Sequence, residues 1–538
     1  MDKRETGAYV SLKSITFLRN HHALISFLGI LGLTIFVTFI VFRSAWISED
    51  CFITLRYVKN TLNGYGAVFN VGEYVQGYTH PLWYLMLVVG SYILNNEILT
   101  AIVLGLLLTI VHLLIFGLRL FKYATSPLVA LVVFAIACSS FISSDAWVSF
   151  QTGGLENALS HLLILLIISE AYYYKGKRIA PMLLLISLLC LSRPDYFIFS
   201  LPFLILVLHY LRSFRKIGTS IIAVLPSIFW LFFAQWYYGS PLPNTGMAKL
   251  GIYPDWQYSV KQGILYLIDW CISEPLPAAF TSVFLIYCAI ASRASKVILV
   301  TIIGTFMHIA WVIFIGGDFM RGRFLTPILT ASIIIWSFVT IEKSNGSFFR
   351  IPYVYCFISS ILIISIFQSI GNALDWHTMP RWGILNERKF YPGYSFRNYM
   401  EEGHVKNPYL DLTFANDLRA YAEVCGPITV HFRNPGTIGY FAGPKVSIID
   451  MLGLTDKFIS NLPKTYLINP FPRPGHPDKF IPVSYLALRN DIALLPDWQK
   501  GIRERDCSLI VRVAQFREST QYWNPNGIVN LMPSRLER

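Results

Sequence analysis

The sequence predicts a polytopic α-helical membrane protein with a soluble C-terminal part, and three observations support this fold class. Of the 538 residues, 54% are hydrophobic and 14% are charged, whereas soluble domains carry about 25% charged residues. Apolar runs of roughly 20 residues, the length that crosses a hydrocarbon core, recur from Ala23 to Ser369. No such run occurs from Gly371 to Arg538. We therefore expect a membrane domain at residues 1–370 and one soluble domain at residues 371–538.

The distribution of Lys and Arg predicts the orientation of the chain. Basic residues precede the first apolar run, at Lys3, Arg4, Lys13 and Arg19. Further basic clusters separate later runs, and such clusters remain on the cytoplasmic side of a membrane. We expect a cytoplasmic N-terminus, about eleven crossings with residues 81–95 and 99–118 together making one, and a C-terminal domain on the outer face. This pattern also accounts for the net charge of +13, so no nucleic-acid partner is expected.

This orientation puts polar loops on the outer face. They are residues 43–80, 143–157, 193–195, 238–273 and 316–323. Because ionisable groups near a bilayer are expensive unless they are solvated or used, their clustering on one face predicts a polar cavity there.

The first outer loop, residues 43–80, begins with the stretch SEDCFITLRY. Apolar residues follow at helical spacing, at Phe52, Leu55, Val58 and Leu62. This spacing predicts a short amphipathic helix along the membrane surface, with Glu49 and Asp50 at its positive N-terminal end. The two carboxylates either cap this helix or serve a reaction at the membrane face, and the loop alone leaves both interpretations open.

The C-terminal domain is predicted to be α/β. Strand-like runs at residues 426–434, 444–454 and 507–513 accompany a predicted helix at residues 412–426. Cys425 and Cys507 share this domain, and the sequence leaves open whether they form a disulfide.

Together the loops resemble membrane glycosyltransferases of the GT-C superfamily, specifically the lipid-linked arabinofuranosyltransferases. These include the mycobacterial terminal arabinofuranosyltransferases and the bacterial enzymes that attach arabinofuranose to type IV pilin. The matching motifs are the acidic pair with its Arg-Tyr, NGYGAVFNVGE, VQGYTHPLW, GGLEN, PNTGMAK, GGDFMRGRF, IDMLGLTD and PGH, between residues 48 and 476. One departure is that family members usually carry Asp-Asp-Ala where this chain has Glu49, Asp50 and Cys51.

The resemblance implies a GT-C fold in a bacterial inner (plasma) membrane, with the C-terminal domain in the periplasm. It implies transfer of a sugar, D-arabinofuranose, from a polyprenyl-phosphate donor to an acceptor hydroxyl of a pilin Ser or Thr or of a polysaccharide end. Two alternatives remain open: the same reaction with mannose or aminoarabinose, and a transporter or flippase of a lipid-linked sugar. The sequence has no GxGxxG turn after a strand and no Walker loop, in agreement with a lipid-linked donor.

Site residues follow from this chemistry. An alcohol nucleophile needs a general base, for which we predict Asp50, with Glu49 as orienting partner or alternative base. A departing phosphate needs cations, and the candidates are Lys249, Arg323, Arg321 and Arg56. The candidates for binding sugar or acceptor are Gln76, Tyr78, His80, Glu156, Asn157, Arg193, Asp195, Asn244 and Asp318. No cofactor is predicted to be required and no metal ligands are assigned, although the carboxylates leave a divalent cation open.

Overall fold

The computed structural model describes residues 3–124, 126–175, 177–209, 214–250, 252–291, 295–344, 380–403, 405 and 412–519. The apolar run that ends at Ser369 and the expected domain boundary near residue 370 lie outside these ranges. Eleven crossings, the orientation in the membrane and the division into two domains therefore remain predictions.

Helices make up most of the described chain up to Lys343. In order they are α1 (Lys3–Arg43), α2 (Glu49–Leu62), α3 (Pro81–Leu94), α4 (Glu97–Tyr123), α5 (Pro127–Ile142), α6 (Asp145–Phe150), α7 (Asn157–Tyr174), α8 (Ile179–Ser192), α9 (Tyr196–Leu208), α10 (Phe214–Tyr238), α11 (Asn244–Lys249), α12 (Trp256–Ser273), α13 (Pro275–Ala291), α14 (Lys296–Phe314) and α15 (Thr326–Lys343). Pro81, Pro127 and Pro327 occupy first turns, where the missing N–H costs no hydrogen bond.

Several of the described helices are long and apolar enough to cross a membrane. Five pass this test alone: His22–Arg43, Glu97–Tyr123, Gly218–Tyr238, Lys296–Phe314 and Arg323–Lys343. A sixth span is counted if α12 and the following helix, which are bent by 106° at their junction, cross together. Helices α3, α5, α8 and α9 are apolar but shorter. This part of the chain is that of a polytopic α-helical membrane protein, as the composition predicts.

The segment 238–273, expected as an outer loop, is not a loop throughout, because α12 occupies its second half. Polar residues interrupt the apolar pattern of α12, so the sequence did not reveal this helix. The polar side chains that the helix buries have partners within the protein. Asp269 of α12 is fully buried and accepts two hydrogen bonds from Arg321, at 2.7 and 3.2 Å. The helix ends at Glu274, whose carboxylate accepts from the Ser144 hydroxyl and the Ala146 N–H, at 2.6 and 2.7 Å.

Helix α2 forms at the expected place, but the protein buries it instead of leaving it on a membrane surface. Ser48 caps its N-terminus by accepting from the Cys51 N–H at 3.3 Å. Phe52, Leu55 and Val58 are fully buried, and the Phe52 ring contacts the rings of Tyr394, Tyr440 and Phe441. C-terminal residues therefore cover the apolar face at Phe52, whereas Leu62 at the end of the helix is 36% exposed.

The described C-terminal residues hold a two-stranded parallel sheet, with β1 (Ile428–Phe432) paired to β2 (Val446–Asp450) and Ile428 opposite Val446. The accompanying helices are Glu387–Phe390, Phe396–Glu402, Leu412–Cys425, Pro435–Ala442, Lys457–Ser460, Val483–Leu488, Trp498–Glu504 and Ser508–Ser519. The strand expected at residues 507–513 is wrong, since this run lies in the last of these helices. Leu509 is buried there and Val511 is 57% exposed, so the run buries one helical face.

A disulfide joins Cys425 and Cys507, whose Cα atoms are 5.2 Å apart. It connects the helix Leu412–Cys425 to the start of Ser508–Ser519. The structure thereby answers a question that the sequence left open.

Candidate active site

A cavity of about 410 Å³ lies where α2, α9, α11 and the turn before α15 meet. Its charged lining residues are Asp50, His80, Arg193, Asp195, Lys249, Asp318 and Arg323. One side is apolar and includes Phe197, Ile198, Leu242, Met247, Leu250 and Trp311. Leu454 and Gly475, from the C-terminal residues, complete the wall. This volume suits a small molecule, and the mixed lining suits a ligand with a charged and an apolar part.

Asp50 faces this cavity from the first turn of α2. Its side chain is 21% exposed, and its Oδ2 lies 3.9 Å from the Nζ of Lys249. Asp50 is therefore an accessible carboxylate that a ligand in the cavity can reach, and a general base needs this accessibility.

Glu49 points away from the cavity. Its Oε1 accepts the Thr437 N–H at 3.0 Å, in the first turn of the helix Pro435–Ala442, and its own N–H donates to Glu387 Oε1 at 3.0 Å. Burial, with Asp50 adjacent, raises the pKa of Glu49 to about 8. Neighbouring residues on a helix diverge by about 100°. The structure thus separates the acidic pair, with Asp50 in the cavity and Glu49 in the contact between α2 and the C-terminal residues.

Glu156 is fully buried behind the cavity wall, where three basic side chains converge on it. Arg323 Nη2 and Arg193 Nη1 lie 3.0 and 3.2 Å from Oε1, and His80 Nδ1 lies 3.0 Å from Oε2. Burial alone would raise the pKa of Glu156, but Arg323, His80 and Arg193 together hold it well below its usual range. Glu156, predicted to bind sugar or acceptor, does not line the cavity and is instead the counter-ion of residues that do.

Arg193 and Asp195 lie together in the cavity wall between α8 and α9. Arg193 donates to both carboxylate oxygens of Asp195, at 2.8 and 2.9 Å, while its Nη1 reaches Glu156. Their side chains are 13% and 16% exposed, so both reach the cavity. The short motif Arg-Pro-Asp thus supplies two charged residues to the cavity lining.

A glycine-rich turn carries Asp318 and Arg323 into the wall opposite Asp50. Gly316 and Gly317 adopt positive φ angles of 85° and 74°, and a Cβ at Gly317 would lie 2.6 Å from the Tyr266 side chain. Asp318 Oδ1 accepts the Phe319 N–H at 2.9 Å, and Oδ2 lies 3.6 Å from Arg323 Nη1. Burial raises the pKa of Asp318.

The two arginines of this turn have different partners. Arg321 is 5% exposed, pairs with Asp269 and does not line the cavity, so the structure places it away from the predicted phosphate site. Gly322, with φ of 69°, reverses the chain between Arg321 and Arg323. Only Arg323 of the pair therefore reaches the cavity.

Four other predicted site residues lie outside the cavity lining and hold the loops that form it. Arg56 donates to the carbonyls of Phe69, Gly439 and Val446, so the structure places it away from a phosphate. Gln76 donates to the Tyr78 carbonyl. Asn157 donates to the Thr326 hydroxyl. Asn244 donates to the Gly453 and Leu454 carbonyls. Their amide and guanidinium donors satisfy buried carbonyl and hydroxyl oxygens, which explains why polar residues recur in these motifs.

Tyr78 and His80 both line the cavity, and their partners are polar. The Tyr78 hydroxyl lies 2.9 Å from that of Tyr238. His80 Nε2 lies 2.9 Å from the Thr54 hydroxyl, on the side of the ring opposite Glu156. Thr54 was not identified from the sequence, although its position four residues after Asp50 puts both on one helical face.

Two contributions come from C-terminal residues. Gly475 lines the cavity, and a Cβ there would lie 3.5 Å from the Nζ of Lys249. The neighbouring His476 ring contacts Phe319 edge to face at 4.3 Å, and burial lowers the pKa of His476 to about 3. Glu387, buried near Asp50, gave no motif in the sequence that would have identified it.

In the described part of the chain no three His, Cys, Asp or Glu side chains are grouped to hold a metal ion. Four carboxylates were candidates for supplying oxygen ligands to a divalent cation. Asp50 and Asp318 line the cavity, whereas Glu49 and Glu156 point away from it. The expectation that no cofactor is required remains a prediction.

Comparison with known proteins places these motifs in context. A terminal β-(1→2)-arabinofuranosyltransferase of Corynebacterium glutamicum is 25% identical over 450 residues, which cover 75% of this chain and 63% of that protein. The protein of the same name from Mycobacterium tuberculosis is 25% identical over 398 residues, covering 64% of this chain and 62% of that protein. The chain thus spans less than two thirds of the length of these curated relatives. No family model matches it. The relatives confirm the resemblance to the terminal arabinofuranosyltransferases that the loop motifs predict.

Proposed function

We propose that this protein is a membrane glycosyltransferase that moves a sugar, D-arabinofuranose, from a polyprenyl-phosphate donor to an acceptor hydroxyl on the outer face of a bacterial inner membrane. The acceptor is a pilin Ser or Thr or the end of a polysaccharide. The sugar and the reaction class follow the names of the two relatives. The lipid carrier follows the family resemblance of the loop motifs.

The observation that carries the proposal is the pairing of charges across the cavity. Asp50 faces Lys249 at 3.9 Å, and Arg323 lines the same space with Asp318 3.6 Å from it. A carboxylate and two cations are the groups that proton abstraction and phosphate departure need. The apolar wall at Phe197, Leu242 and Leu250 suits the first isoprene units of a lipid donor.

In the proposed reaction Asp50 takes the proton of the acceptor hydroxyl as its oxygen attacks the anomeric carbon. The bond from that carbon to the phosphate oxygen breaks, and the polyprenyl phosphate leaves toward Lys249 and Arg323. Glu156 keeps Arg323 and Arg193 oriented, so these cations do not need to reorganise as charge develops. Arg193, Asp195, Tyr78 and His80 are left to bind sugar hydroxyls.

A donor panel tests the proposal directly. Purified protein is given radiolabelled arabinofuranosyl, mannosyl and aminoarabinosyl polyprenyl phosphates with candidate acceptors, and labelled product is counted. We expect transfer from the arabinofuranosyl donor. Transfer from another donor alone would correct the identity of the transferred sugar. Folded protein that is inert with every donor would overturn the proposed enzymatic activity and favour a transporter of lipid-linked sugar.

A further inference from the structure

We propose that Asp318 carries a proton when the donor is bound and gives it to the departing phosphate, so that two carboxyl groups of one cavity act as base and acid. This inference rests on the proposed function, since it concerns the leaving group of that reaction. It assigns a catalytic role to a side chain that sequence reasoning placed among the sugar-binding residues.

The position of Asp318 is the first argument. Its side chain is 4% exposed, and it lines the cavity between Lys249 and Arg323. Oδ1 accepts the Phe319 N–H, whereas Oδ2 is buried and accepts no hydrogen bond from any described residue. Arg323 Nη1, at 3.6 Å, is beyond hydrogen-bonding distance of it. A buried carboxylate oxygen without a donor is costly, and a proton on it removes that cost.

Charge is the second argument. The groups that act on Asp318 come from several elements: Arg323 from the start of α15, Lys249 from α11, Asp50 from α2 and Arg193 from the end of α8. Tyr253 and Tyr266 also lie close enough to be affected by its charge. Although Arg323, Lys249 and Arg193 all lower the pKa of Asp318, its pKa is raised, because burial is the largest influence on it.

Binding of the anionic donor is expected to raise the pKa of Asp318 further. A phosphodiester is an anion, and if it binds Lys249 and Arg323 it takes the two cations that most favour ionised Asp318. It also places a like charge beside the carboxylate, which raises the pKa further. A protonated Asp318 instead donates a hydrogen bond to a phosphate oxygen. Donor binding is therefore expected to draw a proton from solution.

The proposed step exchanges one bond at the anomeric carbon and moves two protons. The acceptor oxygen forms its bond to the anomeric carbon and loses its proton to Asp50. The bond from the anomeric carbon to the phosphate oxygen breaks, and both of its electrons leave with the phosphate. Asp318 transfers its proton to a phosphate oxygen, so the product is a monoprotonated polyprenyl phosphate and Asp318 becomes a carboxylate. Water that enters as the products leave returns the proton of Asp50 to solvent and allows Asp318 to be protonated again.

Proton uptake on donor binding tests this without requiring turnover. The probe is farnesylphosphoryl-arabinofuranose, a phosphodiester that has no titrating group near neutral pH, added without acceptor. Calorimetric titration in two buffers of different ionisation enthalpy gives the number of protons taken up. We expect uptake of up to about one proton by wild type and by E170Q, a substitution away from the cavity, and none by D318N, in which an amide replaces the titrating group.

Kinetics provides a second readout. We expect D318N to lower kcat by about 10²-fold or more while preserving donor binding, and to abolish the decline of wild-type activity at high pH, where Asp318 loses its proton. A donor with a more acidic thiophosphate leaving group should recover part of the D318N loss, because it needs less protonation. Donor binding without proton uptake in wild type, or uptake that persists in D318N, overturns this inference alone. Failure of wild type to bind the probe overturns the proposed function with it.

Discussion

Replacing Glu156 by Gln removes the charge that holds three cavity residues, and the contacts set the size of the effect. The Glu156 carboxylate is inaccessible and lies 3.0 to 3.2 Å from Arg323, Arg193 and His80. An amide oxygen can still accept from both guanidiniums, but it carries no charge to balance them, and its NH₂ replaces the carboxylate oxygen that faces His80. Breaking a buried ion pair by removing one partner costs about 3–5 kcal/mol. With an unfolding entropy of about 1.1 kcal/mol/K for a chain of this length, the melting midpoint should fall by about 3–4 °C.

The loss should depend on pH with a definite sign. The pKa of Glu156 is held below that of an unfolded glutamate, so its contribution is fully present above a pH of about 4.3 and is lost as the pH falls through the folded value. E156Q and wild type should therefore differ most at neutral pH and converge in acid. Activity should fall by about 10²-fold, since misplacing Arg323 by an ångström has that effect on a positioned reaction.

A matched control is E170Q, the same substitution at a glutamate whose partner Arg178 is 50% exposed. Such a pair contributes at most about 1 kcal/mol, so the midpoint should change by less than about 1 °C. The assay is thermal unfolding in detergent, followed by tryptophan fluorescence from neutral pH down to about pH 2, well below the ordinary pKa of a glutamate. Equal midpoints for E156Q and E170Q at neutral pH would refute the reasoning that Glu156 is a required counter-ion.

Four further predictions concern residues outside this network. D50N should lower kcat by about 10²–10⁴-fold, and E49Q by less than about tenfold, because a glutamine still accepts the Thr437 N–H; equal losses in a labelled-sugar transfer assay would contradict the division of the acidic pair. Because the pKa of Glu49 is raised to about 8, wild-type stability should decline as the pH rises through that value, and thermal melts of E49Q should lack this decline. R56K should destabilise the protein by about 2–4 kcal/mol through lost contacts to buried carbonyls, without changing the donor KM. A raised KM for the donor would indicate that Arg56 binds the donor phosphate. Replacing Cys425 and Cys507 by Ser opens a closure of 82 residues and should lower stability by up to about 4 kcal/mol. Thermal melts against oxidised wild type measure this loss, with reduced wild type as the control that should match the double mutant. Equal midpoints for oxidised wild type and the double mutant would show that the disulfide contributes nothing.

Much of the site could be predicted because its chemistry lies in short, local motifs. Eight predicted residues line the cavity, namely Asp50, Tyr78, His80, Arg193, Asp195, Lys249, Asp318 and Arg323. They lie in loops and near helix ends between the long apolar helices, and the charged ones stand out in a sequence with 14% charged residues. Helix α2 was also recognisable from a local pattern, in which apolar residues at helical spacing follow an N-terminal capping residue.

The predictions that the structure corrected concern the direction and environment of side chains. Helical spacing revealed an apolar face on α2 but not what covers it, because Tyr394, Tyr440 and Phe441 are more than 300 residues away. The run at residues 507–513 is rich in β-branched residues, yet a helix there buries Leu509. Propensity describes a residue by itself, and burial against distant segments overrides it.

The sequence by itself determined that this is a polytopic membrane protein, that polar motifs recur at the ends of its helices, and that they resemble those of arabinofuranosyltransferases. Only the tertiary structure decided which member of each polar pair reaches the cavity. Asp50 and Arg323 do so, whereas Glu49 binds the Thr437 N–H and Arg321 binds Asp269. Residues one or two apart point in different directions on a helix or across a turn, and the partners that select between them come from remote parts of the chain.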